Sequence, residues 1–210
     1  PADCGRAECG PRLPPRPAAP AVAPIEPQLA AVANLVRKAR HPLVLAGSDV
    51  VRAGATDELR RFVEAIEAAV LVNPDARGVI DEKHPRWAGT FRGMFAPNLI
   101  ETEMLSRADL VIMAGADSMM SHTPWKSTVP TCELVLRPEY ETLSPHPAAR
   151  VDGDLRITLQ RLAVPQPGFS QEEIAQARGK ILGYFQKPAG MRLAAQEIIE
   201  IMRRALPEDG

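Results

Sequence analysis

Chemistry in this chain of 210 residues could gather at two glycine-bearing turns, each directly after an apolar run. The first is Gly47-Ser48-Asp49-Val50-Val51-Arg52-Ala53-Gly54, and the second is Gly115-Ala116-Asp117-Ser118. Open α/β sheets bind ligands beyond the carboxyl ends of their strands, and helix N-termini there favour phosphate. The chemistry on offer is therefore anion or nucleotide binding, with Gly47, Ser48, Asp49, Gly115, Ala116 and Asp117 as the residues expected to line one crevice. The dinucleotide fingerprint needs closely spaced glycines that the first turn lacks. A tight strand-to-helix turn with Gly54 near the helix start is the better reading there. For the second turn, a ligand loop and a plain turn stand level.

The remaining reactive side chains offer less. The four histidines, His41, His84, His122 and His146, fall in no zinc-ligand spacing, and three of them precede proline, which favours extended backbone. Cys4 and Cys9 have no second pair to complete a zinc site, and Cys132 introduces an apolar run where a thiol is expected to be buried and inert. Ser121-His122-Thr123 brings triad residue types together, but chain neighbours cannot adopt triad geometry. Neither a nucleophile elbow nor a phosphate loop occurs. Trp87 and Trp125 are expected to cap the core or to meet a neighbouring domain or subunit. No catalytic set emerges.

The elements that position the two turns follow from apolar patterning. Leu29, Val32, Leu35, Val36 and Ala39 recur at helical spacing, with Arg37, Lys38 and Arg40 in the last turn. Leu43-Val44-Leu45-Ala46, Val70-Leu71-Val72, Leu110-Val111-Ile112-Met113-Ala114 and Glu133-Leu134-Val135-Leu136 read as strands buried on both faces. Residues 76–96 look irregular, with 87–90 a short strand. Helices are expected at 55–66, 98–108 and 154–162. Alternating strands and helices imply a doubly wound, Rossmann-like α/β domain, a parallel sheet with helices on both faces, over residues 25–166. Ser170 and Glu173 form a capping box before a stripe of Ile174, Ala177, Ile181 and Phe185. A final helix at 193–206 should turn Ala195, Ile198, Met202 and Ala205 inward. With no strand after it, an exposed apolar stripe is also expected on it.

Composition bounds the partners. Lys and Arg total 25 against 26 Asp and Glu, so the formal charge of −1 supplies no field for nucleic acid or an anionic membrane. A hydrophobic content of 45% supports a packed core. No apolar run approaches the roughly 20 residues of a membrane span. Three cysteines and no visible signal peptide point to a reducing, cytoplasmic setting. Eight of the 21 prolines lie in residues 1–27, which reads as an extended linker.

The order of pieces resembles the central domain of thiamine-diphosphate-dependent enzymes, the group of acetolactate synthase, pyruvate oxidase and benzoylformate decarboxylase. The pieces are His41-Pro42-Leu43-Val44-Leu45-Ala46-Gly47, then Arg52-Ala53-Gly54-Ala55-Thr56-Asp57-Glu58-Leu59, then Gly78-Val79-Ile80-Asp81-Glu82-Lys83-His84-Pro85 with Gly89. Ala108-Asp109-Leu110-Val111-Ile112-Met113-Ala114-Gly115 and Val151-Asp152-Gly153-Asp154-Leu155 complete the series. The resemblance implies three parts. Residues 1–24 would be the end of a pyrimidine-binding domain plus the Pro-rich linker, and 25–166 the central domain. Residues 167–210 would be a linker helix and the first helix of a diphosphate-binding domain.

It further implies a longer parent, a homodimer or homotetramer, acting on a 2-keto acid by carboligation or decarboxylation as in acetolactate synthase. That parent would use thiamine diphosphate and Mg²⁺ held by domains this chain lacks. Catalytic residues and metal ligands are therefore transferred to no position here, and the chain alone is expected to be non-catalytic. FAD or ADP on the central domain is possible in the family but disfavoured here. Asp117-Ser118 stands where flavin-binding members carry Arg-Phe, and Val135 and Arg137 stand near Pro138 where they carry aspartates. The competing expectations are a stand-alone nucleotide-binding regulatory module and a scaffold that only dimerises.

Overall fold

The structure, a computed structural model, describes residues 22–116, 121–136, 143–185 and 194–207. Six strands form one parallel sheet: β1 (Pro42–Ala46), β2 (Ala69–Val72), β3 (Trp87–Thr90), β4 (Leu110–Ala114), β5 (Thr131–Val135) and β6 (Ala149–Asp152). Their spatial order is β3-β2-β1-β4-β5-β6, with every pair parallel. This is the doubly wound order, and it reverses between β1 and β4, the switch point where both glycine turns lie.

Seven helices accompany the sheet among the described residues: α1 (Glu26–Lys38), α2 (Ser48–Arg52), α3 (Thr56–Ala65), α4 (Ile100–Arg107), α5 (Leu155–Leu162), α6 (Gln171–Gly183) and α7 (Ala195–Ala205). Alternate strand residues enter two cores. Val44, Ala46, Val70, Ile112 and Leu134 pack with Val32 of α1, Phe62 of α3 and Leu159 of α5. Leu43, Leu45, Leu71, Val111 and Met113 pack with Met104 of α4, Ile174 of α6 and Phe169. Burial on both faces is why these strands read as continuous apolar runs. Each fully buried Leu, Ile or Phe contributes about 1.5–3 kcal/mol relative to exposure.

The structure corrects several expectations. The turn after β1 holds a short helix, α2, braced by an Arg52–Asp49 ion pair one turn apart, and Gly54 (φ +62°) joins α2 to α3. β5 begins at Thr131, so Cys132 lies inside the strand. β6 has a mixed, half-exposed pattern because it is an edge strand, and periodicity gave no sign of it. Its open edge is met by α1, where Gln28 Oε1 accepts the Asp152 amide at 3.0 Å. Phe185 is exposed at the end of α6. On α7, Ile198 and Met202 are exposed rather than inward, together with Ile199, Ile201 and Leu206, so the helix carries the exposed apolar stripe also expected of it. The Ser170 capping box is present in full. The Pro-rich segment 1–21, with Cys4 and Cys9, and the helix break at Pro188 lie outside the described residues.

Candidate functional site

The switch point brings Gly47, Ser48, Asp49, Gly115 and Ala116 together, while Asp117 and Arg137 lie outside the described residues. The two turns touch each other. Gly47 N donates to Ala114 O at 2.9 Å, and Asp49 N donates to Gly115 O at 3.2 Å. A Cβ on Gly47 would stand 2.2 Å from Gly115 O, so only glycine admits this approach. Gly115 adopts φ +60°, and a Cβ there would meet Val50 N at 2.9 Å and Leu155 Cδ1 at 3.0 Å. The two turns are therefore in direct backbone contact.

The crevice side of α2 carries an ion pair. Asp49 is 4% exposed in the first turn of α2, and its Oδ1 accepts from Arg52 Nη1 at 2.8 Å. The same guanidinium donates to Ser48 Oγ at 2.7 Å. A carboxylate thus occupies the helix N-terminus that would otherwise favour an anion. Two of the first amides of α2 are already spent, Asp49 N on Gly115 O and Val50 N on Gly47 O. Among the described residues no cluster of His, Cys, Asp or Glu could hold a metal ion.

The histidines have structural surroundings. His41 Nε2 lies 3.2 Å from Glu173 Oε1, with its ring edge-on to Phe169, and His84 Nε2 lies 3.0 Å from Glu64 Oε1. Hydrogen bonds from the Ser170 amide and hydroxyl hold the Glu173 carboxyl below the usual range. Burial pushes the Cys132 thiol up to about 12, which leaves it protonated. Trp125 packs edge-to-face against Phe95 and at a tilt against Phe91.

Sequence reasoning missed several buried carboxyls, Glu101 and Glu133 the most buried of them. Glu101 of α4, 1% exposed, accepts the consecutive amides of Arg92, Gly93, Met94 and Phe95 at 2.6, 3.1, 2.6 and 2.9 Å. The loop so held passes its order on, since Gly93 O accepts Thr123 Oγ1 at 2.7 Å and Thr123 N at 3.1 Å. Nothing in the spacing distinguishes Glu101 from any acid in a first helical turn. Glu133 is the second, and its signal was legible: a charge in the middle of an apolar strand.

The fold is that of a doubly wound domain with two glycine turns in contact at its switch point. The family described as "Thiamine pyrophosphate enzyme, central domain" matches residues 29–162, and the chain belongs to it. Among curated proteins, it is 33% identical over 85 residues to a pyruvate decarboxylase of Kluyveromyces lactis, covering 40% of this chain and 15% of that protein. It is 26% identical over 145 residues to an oxalyl-CoA decarboxylase of Escherichia coli, covering 67% and 24% respectively. Among solved structures, a benzoylformate decarboxylase from Polynucleobacter necessarius superposes with a TM-score of 0.65 at 17% identity, over 96% of this chain and 38% of that one. That likeness supports the fold. The chain spans between 15% and 24% of these two curated relatives. A stand-alone nucleotide-binding module finds no support in these matches. No helix of the described residues is long and apolar enough to cross a membrane.

Proposed function

We propose that this chain is the structural middle of a larger thiamine-diphosphate-dependent enzyme acting on a 2-keto acid, and that it does no chemistry alone. The observation that carries this is the interlock of Gly47 with Gly115, backed by the Asp49 carboxylate, at the place where this fold otherwise receives a ligand. In the parent, thiamine diphosphate and Mg²⁺ would sit on other domains, which this sheet would hold in register. Residues 1–24 and 167–210 would be its junctions with those domains, and the exposed face of α7 would be covered by the second. Two curated relatives are decarboxylases by name, which supports decarboxylation by a lyase ahead of an acetolactate-synthase-type transfer. A cytoplasmic homodimer or homotetramer is the expected setting.

The test is calorimetry of the chain with FAD, ADP and thiamine diphosphate, alongside a pyruvate turnover assay. Absence of heat with all three, and of turnover, is expected. Tight binding of FAD or ADP would overturn the closed crevice, and turnover would overturn the non-catalytic role.

A further inference from the structure

The crossover from β5 to β6 carries no helix among its described residues. Instead residues 143–146 lie against the sheet, with Leu143 and Ser144 buried. Two polar contacts seat the segment. Ser144 N donates to Glu133 Oε1 at 3.2 Å, and Thr131 Oγ1 donates to Ser144 Oγ at 3.0 Å. Glu133 sits in mid-strand, 3% exposed, in register with Met113 of β4 and Arg150 of β6. Its Oε2 is buried and has no hydrogen-bond partner. An ionised carboxylate with an unmet oxygen is costly to keep from water, and a neutral acid far less so.

We infer that Glu133 is a protonation-dependent pin: it keeps residues 143–146 on the sheet while its carboxyl is neutral, and lets the segment lift when the carboxyl ionises and draws in water. Burial raises the carboxyl above its ordinary range, and Asp152 adds to the rise, while the Ser144 amide and Arg150 oppose it. Among the described residues the charges facing it come from β6, Arg150 and Asp152, themselves joined at 2.8 Å. β4 offers Met113, and the Cys132 thiol on the opposite face of β5 stays protonated. The segment's own titratable side chain is the exposed His146.

The closed state holds the proton more tightly than the open state does. Opening therefore becomes easier as pH rises from the ordinary value of 4.5 towards the raised one. One linked proton makes the slope at most about tenfold per pH unit.

Hydrogen exchange of residues 143–146 in the full chain, corrected for intrinsic rates, reads this opening. Wild type should open progressively as pH rises above 4.5, and Glu133→Gln should be flat. His146→Gln should keep the slope, and Asp152→Asn should narrow its range. A flat wild type, a slope that survives in Glu133→Gln, or one that vanishes in His146→Gln overturns the pin. Should Glu133→Gln fail to fold, a carboxyl-carbon NMR titration of the wild type decides. An inflection at or below the ordinary range refutes the proposal.

Discussion

Replacing Glu101 by Gln removes one of the two carboxylate oxygens that gather the 92–95 loop. Oε2 holds the amides of Arg92 and Gly93, and Oε1 holds those of Met94 and Phe95. A glutamine keeps one acceptor and aims an NH₂ group at the other pair, so two amides lose their partner. At about 1–3 kcal/mol per unmet buried amide, the ceiling is about 6 kcal/mol. Relaxation will recover part of that. Phe95 is held at φ +53° and Gly93 at +65°, and freeing the loop releases strain of about 1–2 kcal/mol at the non-glycine position. Water can also reach the outer amides, which leaves a net loss of about 2–4 kcal/mol. For a chain of this size each kcal/mol moves the melting midpoint by about 2–4 °C, so Glu101→Gln should melt about 4–16 °C lower. Thermal unfolding by far-UV circular dichroism measures this, with Asp57→Asn as the exposed control, whose ion pair with Arg60 is worth little. The near-UV signal of Trp125, edge-on to Phe95, should weaken as well. A Glu101→Gln variant melting with the wild type would refute the reasoning, because the four amides would then be as well served by solvent.

Gly47→Ala should cost about 1–3 kcal/mol or more in urea unfolding, since the added methyl lands 2.2 Å from Gly115 O; an unchanged midpoint would dissolve the interlock. Glu103 ties α4 to α6 through Lys180 at 2.5 Å and also meets Arg107 at 2.6 Å. The hydrogen bond from Lys180, then that from Arg107, holds its carboxyl below the ordinary 4.5. A depressed carboxyl stabilises the fold above its unfolded value and loses that stabilisation as pH falls through the folded one. Corrected for intrinsic rates, amides of α6 should therefore lose protection on acidification in the wild type, and Glu103→Gln should remove that acid step; an identical acid profile in the variant would count against the tie.

How much of this was legible depends on which force shaped each stretch. β1, β2 and β4 announce themselves because both faces are buried, which leaves a run no surface element would carry. β6 does not, because an edge strand may keep Arg150 and Asp152. α2 hid inside a glycine-bearing turn, since a five-residue helix has no room for periodicity, and it is anchored by Val50 buried in the core. That the turns at Gly47 and Gly115 lie side by side was legible, because strand ends and glycines mark a switch point. That they close on each other is a matter of ångströms between two backbones, which residue types do not encode. The stripe on α7 was legible as apolar, but its direction was not, because direction depends on what lies beside the helix.

The stretch between α5 and α6 is tied down along its whole length. Gln166 donates from its backbone to Ala65 O at 2.9 Å and from its side chain to Val36 O at 2.8 Å. The Gly168 amide reaches Glu67, Arg86 donates to the Phe169 carbonyl, and the Phe169 ring is buried. A connector fastened this often transmits rather than absorbs. A torque applied at the far end of α6 would arrive at the sheet almost undiminished, so whatever α6 is attached to must swing with the whole slab rather than pivot beside it.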